Sequence, residues 1–422
     1  MSTTILIIGL LVFFSHFLSL QFHKTNIPDV LVLVILGIVL GPVLGIVAQG
    51  DFGRVGSLFA TIALVVILFE GGTTLDMNVL GKSLGTTSKL ALGSFALTTT
   101  IVTLIGVYAL GLALLSAAML GLILGNTSPA VVIPMVNSLR LSEKPATVLV
   151  LESALTDVLS IIGVFALLQI HLHGEVEPGK LIGEVLSAMV FAAAIGVIGG
   201  IGWLIVLGKI RDFPNTISST LAYVFIVYGL TELLSFSGPI AALALGFTLT
   251  NFEKFGLKRI PSIDQNIVPL NEIDKVFFSE AVFLLKTYFF LYLGISIHFG
   301  EVNLAIISVS MVLMVYAMRL VLTRLIFRDT SYSLRDASII SMMGPKGLAS
   351  AVLATLPLKY GVPGGDVILD VTYMVVLFSI TLTALLVILY PGKYSQRIYS
   401  RTLRKPLTVE SADSQVEPHR FL

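Results

Sequence analysis

Apolar residues along this chain run in unbroken stretches of about twenty, separated by short connections rich in polar residues, glycine and proline. A bilayer core of about 30 Å takes about 20 apolar residues in a helix. The runs therefore predict thirteen transmembrane helices, near 3–20, 28–48, 55–71, 89–111, 116–137, 146–170, 181–207, 216–235, 239–251, 276–297, 302–323, 336–357 and 368–390. A transmembrane barrel would instead alternate polar and apolar residues over strands of about ten. The pattern thus points to an all-α polytopic membrane protein, since backbone polar groups in lipid must be satisfied within the structure.

Composition narrows the function classes. The chain has 422 residues, of which 56% are hydrophobic and 12% charged, against about 25% charged in a soluble domain; its mean hydropathy is +0.98. A cytosolic enzyme, a secreted disulfide scaffold and a disordered protein are all excluded. A net charge of +1 offers no strongly basic surface for nucleic acid, and the absence of cysteine removes thiolate metal sites and thiol catalysis. The loops hold no nucleophile–base set or metal motif, so neither an enzyme nor a cofactor is expected. With thirteen spans, twenty Lys and Arg residues fall in connections on one side and only Arg54, Lys180 and Lys359 on the other. By the positive-inside rule the N-terminus lies outside and the C-terminus in the cytoplasm, as in a multi-pass protein of the cell (inner) membrane. The tail after Pro391 is basic first and then acidic and Ser-rich, a membrane-surface segment running into disorder.

Two spans carry breakers at their midpoints: Gly125-Asn126-Thr127-Ser128-Pro129 in the fifth and Met343-Gly344-Pro345-Lys346-Gly347 in the twelfth. Proline removes an intrahelical bond and clashes with the preceding turn. Interruptions at membrane depth survive only where they line a cavity or are buried in protein. If spans 1–6 and 8–13 form two six-helix halves, each break is the fifth helix of its half, and the seventh span inverts the second half relative to the first. Paired interruptions in corresponding positions are the best sequence pointer to a secondary transporter's site. The expected architecture is two inverted six-helix repeats with crossed discontinuous helices. At the crossing, Lys346 offsets the half-charges of facing helix ends, beside Ser128, Pro129 and Pro345.

Charged residues inside spans are costly and mark ion or proton pathways. Here they are Glu70, Glu152, Asp157, Lys286, Arg319 and Lys346. The sixth span reads Leu151-Glu152-Ser153-Ala154-Leu155-Thr156-Asp157-Val158. Glu152 and Thr156 share one helical face and Ser153 and Asp157 the adjoining one, each pair at i and i+4. A hydroxyl and a carboxylate side by side give hard-oxygen chemistry suited to an alkali cation, and a carboxylate trades that cation for a proton. Lys286 reads as a partner for Glu280 or for lipid headgroups.

At these residues the chain resembles the monovalent cation:proton antiporter superfamily, in particular its NhaP-type sodium/proton exchanger branch. The matching stretches are Asn26-Ile27-Pro28 with Gly37-Ile38-Val39-Leu40-Gly41-Pro42, Leu68-Phe69-Glu70-Gly71-Gly72, Thr127-Ser128-Pro129, Glu152-x-x-x-Thr156-Asp157, Arg319 and Gly344-Pro345-Lys346-Gly347. The resemblance implies that Asp157 is the carboxylate that exchanges ion for proton. It also implies that Ser153, Thr127 and Glu70 complete a site for Na⁺ (or K⁺) with Thr156 beside it, and that Glu152 pairs with Arg319. Three positions depart from the family pattern. Thr156 stands where Asn is usual, Ser128 where Asp is usual in the broken fifth helix, and Lys346 where Arg is usual in the twelfth.

The expected function is a secondary active antiporter exchanging Na⁺, with Li⁺ following, for H⁺ at one buried carboxylate by alternating access. Exchange is electroneutral, one for one, if Glu152 stays locked to Arg319. A K⁺/H⁺ antiporter is the alternative ion choice, and a sodium-coupled organic-anion symporter on a related fold the alternative class. The division that follows is scaffold helices over 1–71 and 216–297, core transport helices over 89–170 and 302–390, a linker helix over 181–207 and a tail over 391–422. The resemblance implies that the scaffold forms a homodimer, with membrane lipid around it.

Overall fold

A computed structural model describes residues 29–47, 53–75, 77–139, 141–173, 178–210, 216–261, 268–297, 302–327 and 332–403, with Gly9, Phe13 and Ile263 as isolated positions. The predicted first span apart from Gly9 and Phe13, the Asn26-Ile27-Pro28 stretch and the tail past 403 lie outside the described residues.

The described chain is helical: α1 Asp29–Ile38, α2 Gly53–Thr74, α3 Met77–Tyr108, α4 Leu114–Leu124, α5 Pro129–Ser138, α6 Glu143–His173, α7 Pro178–Ile210, α8 Thr216–Leu233 and α9 Gly238–Asn251. There follow α10 Glu272–Ile295, α11 Val302–Phe327, α12 Leu334–Met342, α13 Leu348–Leu353, α14 Thr355–Lys359, α15 Gly365–Leu389 and α16 Lys393–Leu403. Seven stretches among the described residues are long and apolar enough to cross a membrane unaided. The runs predicted near 28–48, 239–251 and 336–357 contain shorter apolar helices among the described residues, while α2 spans the run near 55–71 and α8 most of that near 216–235. Local chemistry explains several of these ends. Pro42 sits in a wider π-helical turn, Val39–Val43, that closes α1. The run expected over 89–111 begins earlier, at Met77, and its helix stops at Tyr108 just before Gly111, whose φ of +66° suits glycine.

Polar starts fix two helices. At α10, Asn271 and Asp274 exchange side-chain-to-amide hydrogen bonds of 2.8 Å in each direction, and at α12 Ser333 and Asp336 do the same at 3.1 and 3.3 Å. These reciprocal caps satisfy amides that a helix start leaves open.

The helices pack in two groups. In one, α9 lies along α2, α7 and α8, and α10 lies along α1 and α2. In the other, α3 lies against α4, α6 and α11, while α11 also packs on α12 and α15. The groups touch where α13 meets α2 and α10, where α15 meets α1 and where α6 meets α7. Two helix crossings in the first group depend on glycine. A Cβ on Gly37 of α1 would come within 2.9 Å of the Gly294 Cα of α10, and one on Gly294 would return the clash. Gly72 of α2 and Gly246 of α9 make the same kind of crossing, their added Cβ atoms falling 3.0 and 3.1 Å from the Phe247 and Thr73 amide nitrogens. Without side chains the backbones approach closely, so van der Waals packing replaces the hydrophobic drive that lipid does not supply. Helix α7 uses its glycine cluster alike: Gly200 faces Thr248 of α9.

Candidate functional site

Both predicted interruptions are open chain, and they meet. Helix α4 ends at Leu124, residues 125–128 run non-helically, and Pro129 starts α5, a position where its missing N–H costs nothing. Helix α12 ends at Met342, residues 343–347 are non-helical, and α13 starts at Leu348. The two segments touch through the Ser128 amide, which donates to the Pro345 carbonyl at 2.8 Å. The approach is close enough that a Cβ on Gly347 would fall 2.6 Å from the Ser128 Cβ. Glycine is therefore required there by space.

Breaking a helix frees backbone groups that lipid cannot solvate, and here neighbouring side chains satisfy them. The Thr127 amide donates to the Thr156 hydroxyl oxygen at 3.0 Å, while the Thr156 proton goes to the Glu152 carbonyl of its own helix at 2.9 Å. The Lys346 ammonium donates to the Asn126 carbonyl at 2.6 Å, and the Lys346 amide donates to the Ser379 hydroxyl on α15 at 2.9 Å. The Ser128 carbonyl accepts from the Val131 and Val132 amides as α5 begins. Its hydroxyl is buried and has no hydrogen-bond partner among the described residues.

Asp157 is buried on α6 beside this crossing. Its Oδ1 accepts a hydrogen bond from the Asn126 side-chain amide at 2.8 Å, and the Asn126 carbonyl oxygen Oδ1 accepts from the Ser350 hydroxyl on α13 at 2.6 Å. One amide thus joins the carboxylate on α6 to both broken helices. The positive charge acting on Asp157 is Lys346. Ser153, one turn before Asp157, donates its proton to the Val150 carbonyl at 2.8 Å, which leaves its oxygen free to accept or to ligate.

Glu152 and Arg319 form the expected pair, both buried. The guanidinium donates twice, Nη1 to Oε1 at 2.5 Å and Nη2 to Oε2 at 2.8 Å. Ser94 of α3 adds a hydrogen bond to Oε1 at 2.9 Å, and Arg319 Nε donates to the Ile340 carbonyl of α12 at 3.1 Å. The pair therefore ties α6 to α11 and to the helix leading into the second break. Tyr316, one turn before Arg319, holds α15 through the Ser379 carbonyl at 3.0 Å and the Thr383 hydroxyl at 2.5 Å. A narrow cleft between α3 and α11 runs in to Ser94, Thr127, Arg319, Gly344 and Lys346. It reaches the Lys346 side of the crossing, and Asp157 is not among its lining residues.

Glu70 comes from the other packed group. It sits part-buried near the end of α2, its carbonyl accepting from the Thr73 hydroxyl at 2.7 Å. The charge that acts on it is Lys286 of α10. Lys286, read from sequence as a partner for Glu280 or lipid, is buried, and its charge acts on Glu70. The sequence placed Asn126 only as part of a break and passed over Ser350, Ser379 and Ser94. A signal for Asn126 was available: an amide side chain in the middle of an apolar span needs buried partners of its own.

The profile described as sodium/hydrogen exchanger, transmembrane, matches residues 9–388. The chain belongs to the sodium/hydrogen exchanger family. Within that family it is 26% identical over 393 residues to the K⁺/H⁺ antiporter NhaP of Alkalimonas amylolytica, a match covering 89% of this chain and 64% of the relative. It is 25% identical over 366 residues to the Na⁺/H⁺ antiporter NhaS2 of a Synechocystis species, covering 84% of this chain and 64% of the relative. The chain thus spans just under two thirds of the length of these curated relatives. Its fold is similar to that of the sodium proton antiporter MjNhaP1 from Methanocaldococcus jannaschii at pH 8, with a TM-score of 0.72 at 21% identity over 91% of this chain and 99% of that one. The sodium/hydrogen exchanger family is one of membrane transporters rather than of enzymes.

Proposed function

We propose that this chain exchanges a monovalent cation for a proton at Asp157, one for one and without net charge movement. The observation that carries the reading is a buried carboxylate placed where two broken helices cross, tied by one amide to both and faced by one ammonium. Glu152 and Arg319 cancel each other and hold the frame. The exchanging unit is then the pair of Asp157 and Lys346, whose protons belong to the pair rather than to either residue. With one shared proton the pair is neutral. With a bound cation and no proton it is neutral again. With neither it carries a buried negative charge, which is expensive away from water. Only the first two states cross cheaply, and that restriction couples the two fluxes.

The cation's ligands in this reading are Asp157, the Ser153 oxygen and the Thr127 segment, with Thr156 fixing the Thr127 backbone. Glu70 lines the path in company with Lys286. Alternating access follows if the group containing α3–α6 and α11–α15 moves against the group containing α1, α2 and α8–α10, the latter forming a homodimer scaffold. The inverted-repeat architecture with thirteen spans is supported by the glycine crossings. Mapping spans 2 and 3 onto spans 9 and 10 turns the α1–α10 crossing into the α9–α2 crossing, as a two-fold between halves requires.

Na⁺ is the proposed cargo, with Li⁺ next. K⁺ is the competing choice because the chain's relatives include antiporters named for either ion. Proteoliposomes with an imposed pH gradient decide this when Na⁺, Li⁺ and K⁺ are added in turn. The gradient is expected to collapse with Na⁺, at a rate unchanged by an imposed membrane potential. A response to K⁺ alone would reassign the cargo, and no response to any cation from folded protein would reject exchange.

Asn126→Ala removes the donor that orients Asp157 and stabilises its ionised form. A hydrogen bond to a charged group contributes about 1.5–3 kcal/mol, or tenfold and more. The cation concentration for half-maximal exchange is expected to rise by about that factor, with the maximal rate within a few-fold of the parent. An unchanged value would remove Asn126 from the site.

A further inference from the structure

Helix α16 starts four residues after the last long apolar helix ends at Leu389, following Pro391-Gly392. It carries no acidic residue: its sequence is KYSQRIYSRTL. Three sides of it differ. Leu403 is buried and Tyr399 half-buried against the protein, Tyr399 stacking edge-on with Tyr390 at 5.9 Å between ring centres. Through that side the helix packs on α12 and α11, and Tyr390 lies within reach of Ser338, Arg335 and Asp336 on α12. A second side carries Lys393, Arg397 and Arg401, at i, i+4 and i+8, all exposed. Between these, beside the basic stripe, Tyr394 and Ile398 stand 87% and 60% exposed.

An exposed apolar pair next to a basic stripe, on a helix tethered to the end of a transmembrane helix, has the make-up of a helix lying in a bilayer interface. The tether settles which surface it meets, since α15 delivers it to the membrane face. The stripe settles the charge of that surface. We propose that α16 docks on anionic lipid, with Tyr394 and Ile398 in the acyl boundary and Lys393, Arg397 and Arg401 against headgroup phosphates. The lipid-bound helix then rests directly on α12, the segment that runs into the second break. The inference does not depend on which ion is exchanged, or on exchange at all.

The absence of cysteine makes the test direct. Ile398→Cys gives a single thiol for an environment-sensitive fluorophore, read in vesicles of phosphatidylcholine alone or with one third phosphatidylglycerol. The label is expected to shift to the blue and to be quenched several-fold more by a bilayer-embedded quencher in the anionic vesicles, an effect that high salt weakens. Each neutralised cation should lower the helix's preference for the anionic surface roughly fivefold. In the Lys393→Gln, Arg397→Gln, Arg401→Gln protein the difference between lipids should therefore vanish. Arg397→Lys with Arg401→Lys should keep it, which separates charge from folding. Equal emission in both lipids would overturn the proposal. So would protection that follows protein density rather than lipid charge, because a second copy would then cover this face.

Discussion

Arg319→Gln is expected to leave little folded protein. Glu152, itself wholly buried, would keep only Ser94 as a hydrogen-bond partner, and breaking a buried pair by removing one member costs about 3–5 kcal/mol. The loss should exceed that of a simple cavity, because the same guanidinium also satisfies the Ile340 carbonyl of α12 and packs its stem within 3.2 Å of a Cβ position at Gly344. Size-exclusion profiles and thermal unfolding in detergent report it. The double replacement Glu152→Leu with Arg319→Met removes both charges together, and buried pairs replaced by apolar residues are often neutral or more stable. It should therefore recover much of the folded yield. If Arg319→Gln alone unfolds at the parent temperature, the pair is not the brace between α6, α11 and α12 that its geometry describes.

Asp157→Asn should have the opposite profile: folded, monodisperse and inactive. Asparagine keeps the shape and still offers an oxygen to the Asn126 amide, so the link between α6 and the broken helices survives. It carries no charge to exchange. Cation-driven collapse of a pH gradient is expected to fall at least about a hundredfold, to the leak of empty vesicles, a loss of some 2.7 kcal/mol or more in transition-state terms. Glu70→Gln is the contrasting variant. Glu70 faces Lys286 on the other packed group, so exchange should persist there with an altered cation dependence. Parent-like exchange by the Asp157→Asn protein would end the single-carboxylate account.

These two residues were legible before any coordinates because each is an expense that a lipid-embedded helix does not carry without return. A carboxylate at i+4 from a serine in an apolar span, and an arginine alone in another, ask for partners, and proline at 129 and 345 asks for an interruption. Period and charge are local properties of the chain. What lay beyond them is set by tertiary geometry. Nothing in the residue order says that the Asn126 side chain turns towards Asp157 on one side and Ser350 on the other, since two non-helical segments must first cross to bring them together. The action of the Lys286 charge on Glu70 is of the same kind, since it arises only because α2 and α10 pack. Helix ends suffered most. The apolar run says that a helix exists near 89–111, but the turn at Gly111 and the polar first turns from Met77 decide where it stops and starts.

The central claim is that cation and proton compete for one buried pair, and proton release on binding measures it without transport. Purified protein in weakly buffered detergent would receive Na⁺, then K⁺, while released protons are counted against bound cation. The account predicts one proton expelled per cation bound, release that weakens as the starting pH rises and the pair empties, and none from Asp157→Asn. Cation bound in full with no proton released would contradict it.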